Sequence, residues 1–242
     1  MKIKASLHIH TKEDSVDGKF ISYTIYELID KAYEKWINVL ALTGHKTYLF
    51  KEEYREYAES KWILLLSWIE LSIRVGLFRE AHILILNVGN SIEKVNNLKD
   101  LRKYKIDNPE VFIIAPHPFF DYFNSISKKY LVEFMDIFDA IEHSWFYSRH
   151  FNLNNRVQAF AKKWGKPFIA TADVHFLDLF DMNYIEMEIE ELSAESVFES
   201  IKNFAFVNRT SPNKFSGLVG FFAKISYHNL KSTLKSVWKN RI

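Results

Sequence analysis

Seven short apolar runs, separated by stretches with helical spacing, constrain this chain most. The runs cover roughly residues 3–9, 37–43, 63–70, 81–88, 111–116, 138–142 and 167–172. Helical patterns fall near 22–36, 51–61, 92–105, 126–136 and 152–165. Strands alternating with helices predict a parallel sheet or a βα barrel. Seven units fit a barrel of the usual size, and no linker or fixed-period repeat divides the 242 residues, so a single domain over 1–242 is expected.

The polar residues near the ends of these runs carry the chemistry. His8 and His10 lie two apart on the first predicted strand, so both rings leave the same face. His45 follows Val39–Thr43, Glu70 closes the run from Leu64, His82 opens Ile83–Leu86, and His117 follows Val111–Pro116. Glu142 and His143 follow Phe138–Ile141, while Asp173 and His175 follow Phe168–Thr171. In a βα barrel, the carboxyl ends of the strands form the active face.

The chain has no cysteine, so any metal must be held by His, Asp and Glu. So many donors suggest two or three divalent ions, zinc, manganese or iron, acting on a bound water in a hydrolysis. A net charge of +2 does not favour nucleic acid as the partner. The glycine pattern offers no phosphate-cradling loop. No apolar run is long enough for a membrane span, and no signal peptide is visible, so a cytoplasmic location is expected.

Beyond Glu199 the chain has basic residues and no acidic ones. Apolar residues at helical spacing over 218–239 predict an amphipathic C-terminal helix within a basic segment, 216–242. Phosphate-backbone contact is a second reading of that segment.

Six motifs in order resemble the polymerase and histidinol phosphatase (PHP) family of metal-dependent phosphoesterases. They are Leu7-His8-Ile9-His10-Thr11 with Asp17-Gly18, Thr43-Gly44-His45, Trp68-Ile69-Glu70, Ala81-His82-Ile83-Leu84, Ala115-Pro116-His117-Pro118 and Ala172-Asp173-Val174-His175. The resemblance spans residues 1 to about 180. It implies a distorted (β/α)7 TIM-like barrel and three metal sites: His8, His10, Glu70 and Asp173; Asp17, His45 and His175; and Glu70 with His82 and His117. Asp14 is the alternative to Asp17. His10, Glu70 and Asp173 would be catalytic, with a metal-activated hydroxide attacking a small phosphorylated substrate, either a phosphate monoester or a nucleotide.

Two positions depart from the family pattern. Gly44 replaces an aspartate beside His45, and Trp68 replaces a glycine before Glu70. Arg149, His143 and Arg156 are candidate substrate-binding residues: the segment from Glu142 follows a predicted strand, and the two guanidinium groups could clamp a phosphate. An amidohydrolase-type hydrolase, which also opens with His-x-His, is the second reading. A catalytically degenerate PHP-like binding module is the third.

Overall fold

The computed structural model describes residues 1–76, 79–120 and 124–214 together with Leu218. The chain divides into two compact units. The first comprises Met1–Trp145 and Leu153–Ser211; the second comprises Phe146–Asn152 and the chain from Pro212. In the second, Ser148 bridges Asn213, whose backbone N–H donates to the Tyr147 carbonyl at 2.9 Å. Apart from Leu218, the predicted C-terminal helix lies outside the described residues.

The first unit carries β1 (Lys2–Ile9), α1 (Ile25–Glu34), β2 (Val39–Leu42), α2 (Glu52–Glu59), β3 (Leu64–Leu66), β4 (Trp68–Arg74), β5 (Glu80–Leu86) and α3 (Leu98–Asp107). It continues with β6 (Phe112–Ala115), α4 (Lys128–Glu133), β7 (Ala140–His143), α5 (Asn154–Lys163), β8 (Phe168–Ala170), β9 (Asn183–Glu188), α6 (Ala194–Lys202) and β10 (Phe206–Thr210). The helices form where local chemistry dictates. Thr24 and Glu27 make a reciprocal capping box at the start of α1. Behind it, Ile25, Leu28, Ile29 and Ala32 form one buried stripe at helical spacing.

The strands form two five-stranded mixed sheets, ordered β10–β9–β1–β2–β3 and β4–β5–β6–β7–β8. They do not close into the expected (β/α)7 barrel. The predicted strand 63–70 breaks at Ser67, so β3 joins one sheet and β4 the other. β4 and β5 then pair antiparallel. Only Val75–Arg79 connects them, far short of the dozen or so residues a parallel crossover needs. Gly76, at φ +90°, supplies the left-handed turn. β5 also pairs antiparallel with β6, as β9 does with β1 and β10. The apolar runs thus marked β1 to β8 but missed β9 and β10, and they carried no strand direction.

One apolar cluster joins the two sheets through Ile9, Leu42, Trp68, Leu86, Phe112, Ile169 and Val174. A second fills the space between β4–β7 and α3–α5, with Ile69, Ile85, Leu101, Leu131 and Val157 among its members. Trp68 is fully buried in the first cluster, where it packs as a core side chain. Two parallel bridges, Ile9 with Val174 and His45 with Glu70, tie the sheets together beside the polar residues described next.

Candidate metal centre

Alternation along β1 sends Leu7 and Ile9 into the apolar cluster and leaves His8 and His10 on the other face. All four are buried. The β4 backbone passes beside this pair. Its Glu70 N–H donates to the Gly44 carbonyl at 3.1 Å, and the Lys46 N–H donates to the Glu70 carbonyl at 3.2 Å. Glu70 is therefore an internal residue of β4 that brings its carboxylate to the strand ends of the neighbouring sheet. At the opposite side, the His10 N–H donates to the Val174 carbonyl at 3.1 Å, which places Asp173 and His175 against β1.

Glu70 is the hub. Its Oε2 lies 3.4 Å from His8 Nε2, 3.2 Å from His10 Nε2 and 3.2 Å from His45 Nε2. Its Oε1 lies 2.7 Å from His82 Nδ1 and 3.7 Å from His117 Nε2. Asp173 Oδ1 is 3.4 Å from His8 Nε2, 3.3 Å from His10 Nε2 and 3.5 Å from His175 Nδ1. Asp17 Oδ2 is 3.2 Å from His175 Nε2 and 3.9 Å from His45 Nδ1. All nine metal-ligand positions expected from the motifs thus meet in one connected cluster. His117 and Asp173 hold left-handed backbone, at φ 30° and 44°, a strain typical of functional sites.

Five of the six separations within the first expected ligand set match those of a tetrahedral metal site. A tetrahedron with ligand atoms about 2.0–2.1 Å from zinc has edges of about 3.3–3.4 Å. Around His8, His10, Glu70 and Asp173 the measured separations are 3.2, 3.4, 3.2, 3.4 and 3.3 Å, the first being between the two Nε2 atoms. Overlapping groups such as His45, Glu70 and His82, or His10, Asp173 and His175, also converge tightly enough to hold an ion.

Electrostatics say the same. Burial disfavours a charge on His8, but Asp173, Glu142 and Glu70 outweigh it and push its pKa up to about 10. Burial likewise opposes charge on His10, and its contacts with Asp14, Asp173 and Glu70 still hold its pKa well above the usual value. Glu70 and Asp173 are desolvated yet stay well below the carboxylate range, because the histidines favour their ionised forms. Such a knot of buried anions needs positive charge, from protons or from metal ions.

Four residues around the cluster escaped the sequence reading or were left without a firm role. Glu142, fully buried on β7, accepts from His8 Nδ1 at 2.9 Å, from the Thr171 hydroxyl and from the His117 N–H. In the sequence it closes an apolar run, a signal it shares with Glu70. Asp14 accepts from His10 and His45. Trp145 Nε1 donates to Asp173 Oδ2 at 3.2 Å. The Tyr23 hydroxyl lies 2.7 Å from the His10 carbonyl and 3.0 Å from that of Val174. No sequence signal marked Trp145 or Tyr23.

The three candidate substrate residues differ in setting. His143 follows Glu142 on β7, so it faces the opposite way, with its ring 5.3 Å from that of Phe168 and its pKa pushed down by burial. Arg156 is exposed on the first turn of α5. Arg149 is exposed in the second unit.

Gly44 is fixed by space. A Cβ there would sit 2.4 Å from Leu49 Cδ1 and 2.9 Å from the Thr47 carbonyl oxygen. Gly44→Asp, which restores the family residue, is expected to destabilise the protein by about 1–3 kcal/mol through overpacking, without raising activity. Denaturant unfolding of the two forms checks this; equal stability would contradict the packing account.

No protein-family model and no curated protein matches the chain. Solved structures do. A two-domain protein from Bacteroides vulgatus containing a predicted PHP-like metal-dependent phosphoesterase superposes with a TM-score of 0.65 at 17% identity, over 87% of this chain and 65% of its own. The lesion-specific endonuclease EndoQ from Pyrococcus furiosus gives 0.56 at 13% identity, over 84% of this chain and 56% of its own. An amidohydrolase from Chromobacterium violaceum, solved with sulfate and no metal, gives 0.55 at 15% identity over 71% and 87%. The chain thus spans less than two thirds of the Bacteroides protein and of the endonuclease. It shares their fold, and the resemblance read from the motifs extends to the tertiary structure.

Proposed function

We propose that this chain is a metal-dependent hydrolase that cleaves phosphate esters of a small substrate, a monoester or a nucleotide. The observation that carries the proposal is Glu70, one buried carboxylate whose two oxygens face five imidazoles. A carboxylate shared in this way is suited to bridge ions. His8, His10, Glu70 and Asp173 would hold one ion; Asp17, His45 and His175 a second; Glu70, His82 and His117 a third. Zinc, manganese and iron all suit such donors. Two or three divalent ions there would acidify bound water and neutralise charge on a phosphoryl group.

The chain's own residues supply the rest. His10 presents Nε2 to both Glu70 and Asp173, so it ties the two acids to one point. Trp145 holds the outer oxygen of Asp173 and leaves the inner one facing the histidines. The phosphoesterase and endonuclease names of two structural neighbours support phosphoester bonds as the target. The amidohydrolase neighbour keeps amide hydrolysis as the second reading.

Release of phosphate from a generic aryl phosphate in manganese or zinc tests the proposal. Turnover is expected, and His10→Ala should lower it by more than about 10²-fold, the scale of removing one charge-stabilising group. Turnover of amides or lactones with none on phosphoesters would overturn it.

A further inference from the structure

We infer that Asp14 and Glu142 are positioning residues, which fix the ring nitrogen that His8, His10 and His45 turn toward the cluster. The inference rests on the metal-centre reading above. An imidazole that offers one nitrogen to a metal carries its proton on the other, and that N–H needs an acceptor. His8 Nδ1 lies 2.9 Å from Glu142 Oε1, His10 Nδ1 3.0 Å from Asp14 Oδ2, and His45 Nδ1 2.9 Å from the same Asp14 oxygen. The Nε2 atoms of all three rings then point at Glu70 Oε2. Two acids thus impose one tautomer on three ligands.

Both acids are already engaged by several protein donors, although Asp14 also converges with His10 and His45 closely enough to form a candidate ion group. Asp14 Oδ1 accepts the N–H groups of Val16 at 2.7 Å and Asp17 at 2.9 Å, and its Oδ2 also accepts the His45 N–H at 3.0 Å. Its lone pairs are filled by protein donors. Glu142 is filled likewise by His8, Thr171 and the His117 N–H. That accounting leaves Asp17, half-buried and facing His175, as the ligand of the pair.

Asp14 also explains how the chain tolerates Gly44. The family aspartate would sit beside His45 in sequence, where Leu49 and Thr47 leave no space for a side chain. Asp14 reaches both the ring and the backbone N–H of His45 from another segment of the chain. Glu142 does a parallel job across strands, since its three donors belong to β1, the turn after β6 and the residue that follows β8.

The test is ¹⁵N spectroscopy of the full chain, labelled at histidine and loaded with zinc, with zinc affinity measured by chelator competition. His8, His10 and His45 should each show a zinc-bound Nε2 and a protonated Nδ1. Asp14→Asn and Glu142→Gln should each weaken zinc binding about 10- to 100-fold while far-ultraviolet dichroism stays unchanged. Zinc bound through Nδ1 of any of the three rings overturns the inference, as does full affinity in both variants. The spectrum of the unsubstituted protein decides the matter even where a variant fails to fold. Zinc bound through Nε2 without turnover would sink the hydrolase reading and leave this one standing.

Discussion

Glu70→Gln is expected to remove at least one metal ion per chain and to lower phosphoester turnover by more than about 10²-fold. The substitution keeps the shape of the side chain and deletes its charge. Five imidazoles surround that carboxylate, and three meet the same oxygen. An amide offers that group one acceptor oxygen and places an NH₂ where a second acceptor stood. Bridging is lost while packing volume is kept, so the effect should appear in metal content and rate more than in far-ultraviolet dichroism. Elemental analysis with phosphate-release kinetics reads both. A variant with unchanged metal content and near-normal turnover would remove Glu70 from the bridging role.

Loading with zinc or manganese should raise the melting temperature strongly. A ligand at a hundred times its dissociation constant stabilises the folded state by about 2.7 kcal/mol. For a chain of this size each kcal/mol moves the midpoint by roughly 2–4 °C, so each ion should add roughly 5–11 °C. The pH dependence has a definite sign. In the metal-free protein the His8 pKa is raised to about 10 from 6.5, so its protonation stabilises the fold fully below pH 6.5. That contribution fades as the pH climbs toward 10. Metal must displace that proton, so the metal-induced increment should grow between those limits. Thermal scans at pH 6, 7.5 and 9, with and without chelator, check it. An increment that shrinks as pH rises would contradict the assignment of His8 as a ligand.

Much of the centre was legible in the sequence. His8 and His10 announce themselves because strand geometry puts alternate side chains on one face. Asp173 and His175 repeat that spacing near a predicted strand end. Less of the fold was legible. Apolar periodicity marks a strand but carries no direction, so β5 could not be read as antiparallel, and β9 and β10 formed no apolar run long enough to be read at all. The run 63–70 is continuous in hydrophobicity, and only tertiary pairing reveals the break at Ser67 that gives its halves to different sheets. His143 sits at a strand end, where the sequence also placed metal ligands, yet alternation turns it away, while the neighbouring Glu142 takes the inward position.

The sequence alone determined which residue types could gather and what chemistry they favour: imidazoles and carboxylates near strand ends, with no thiolate. Tertiary structure decided which acid serves which ring. Glu142 meets His8 across 134 residues of chain, and Asp14 serves His45 where Gly44 has no room for a side chain. Spacing along a strand is a local property, written in periods of two residues. Pairing between strands depends on which sheet edges dock, and that is set by the packing of the whole core.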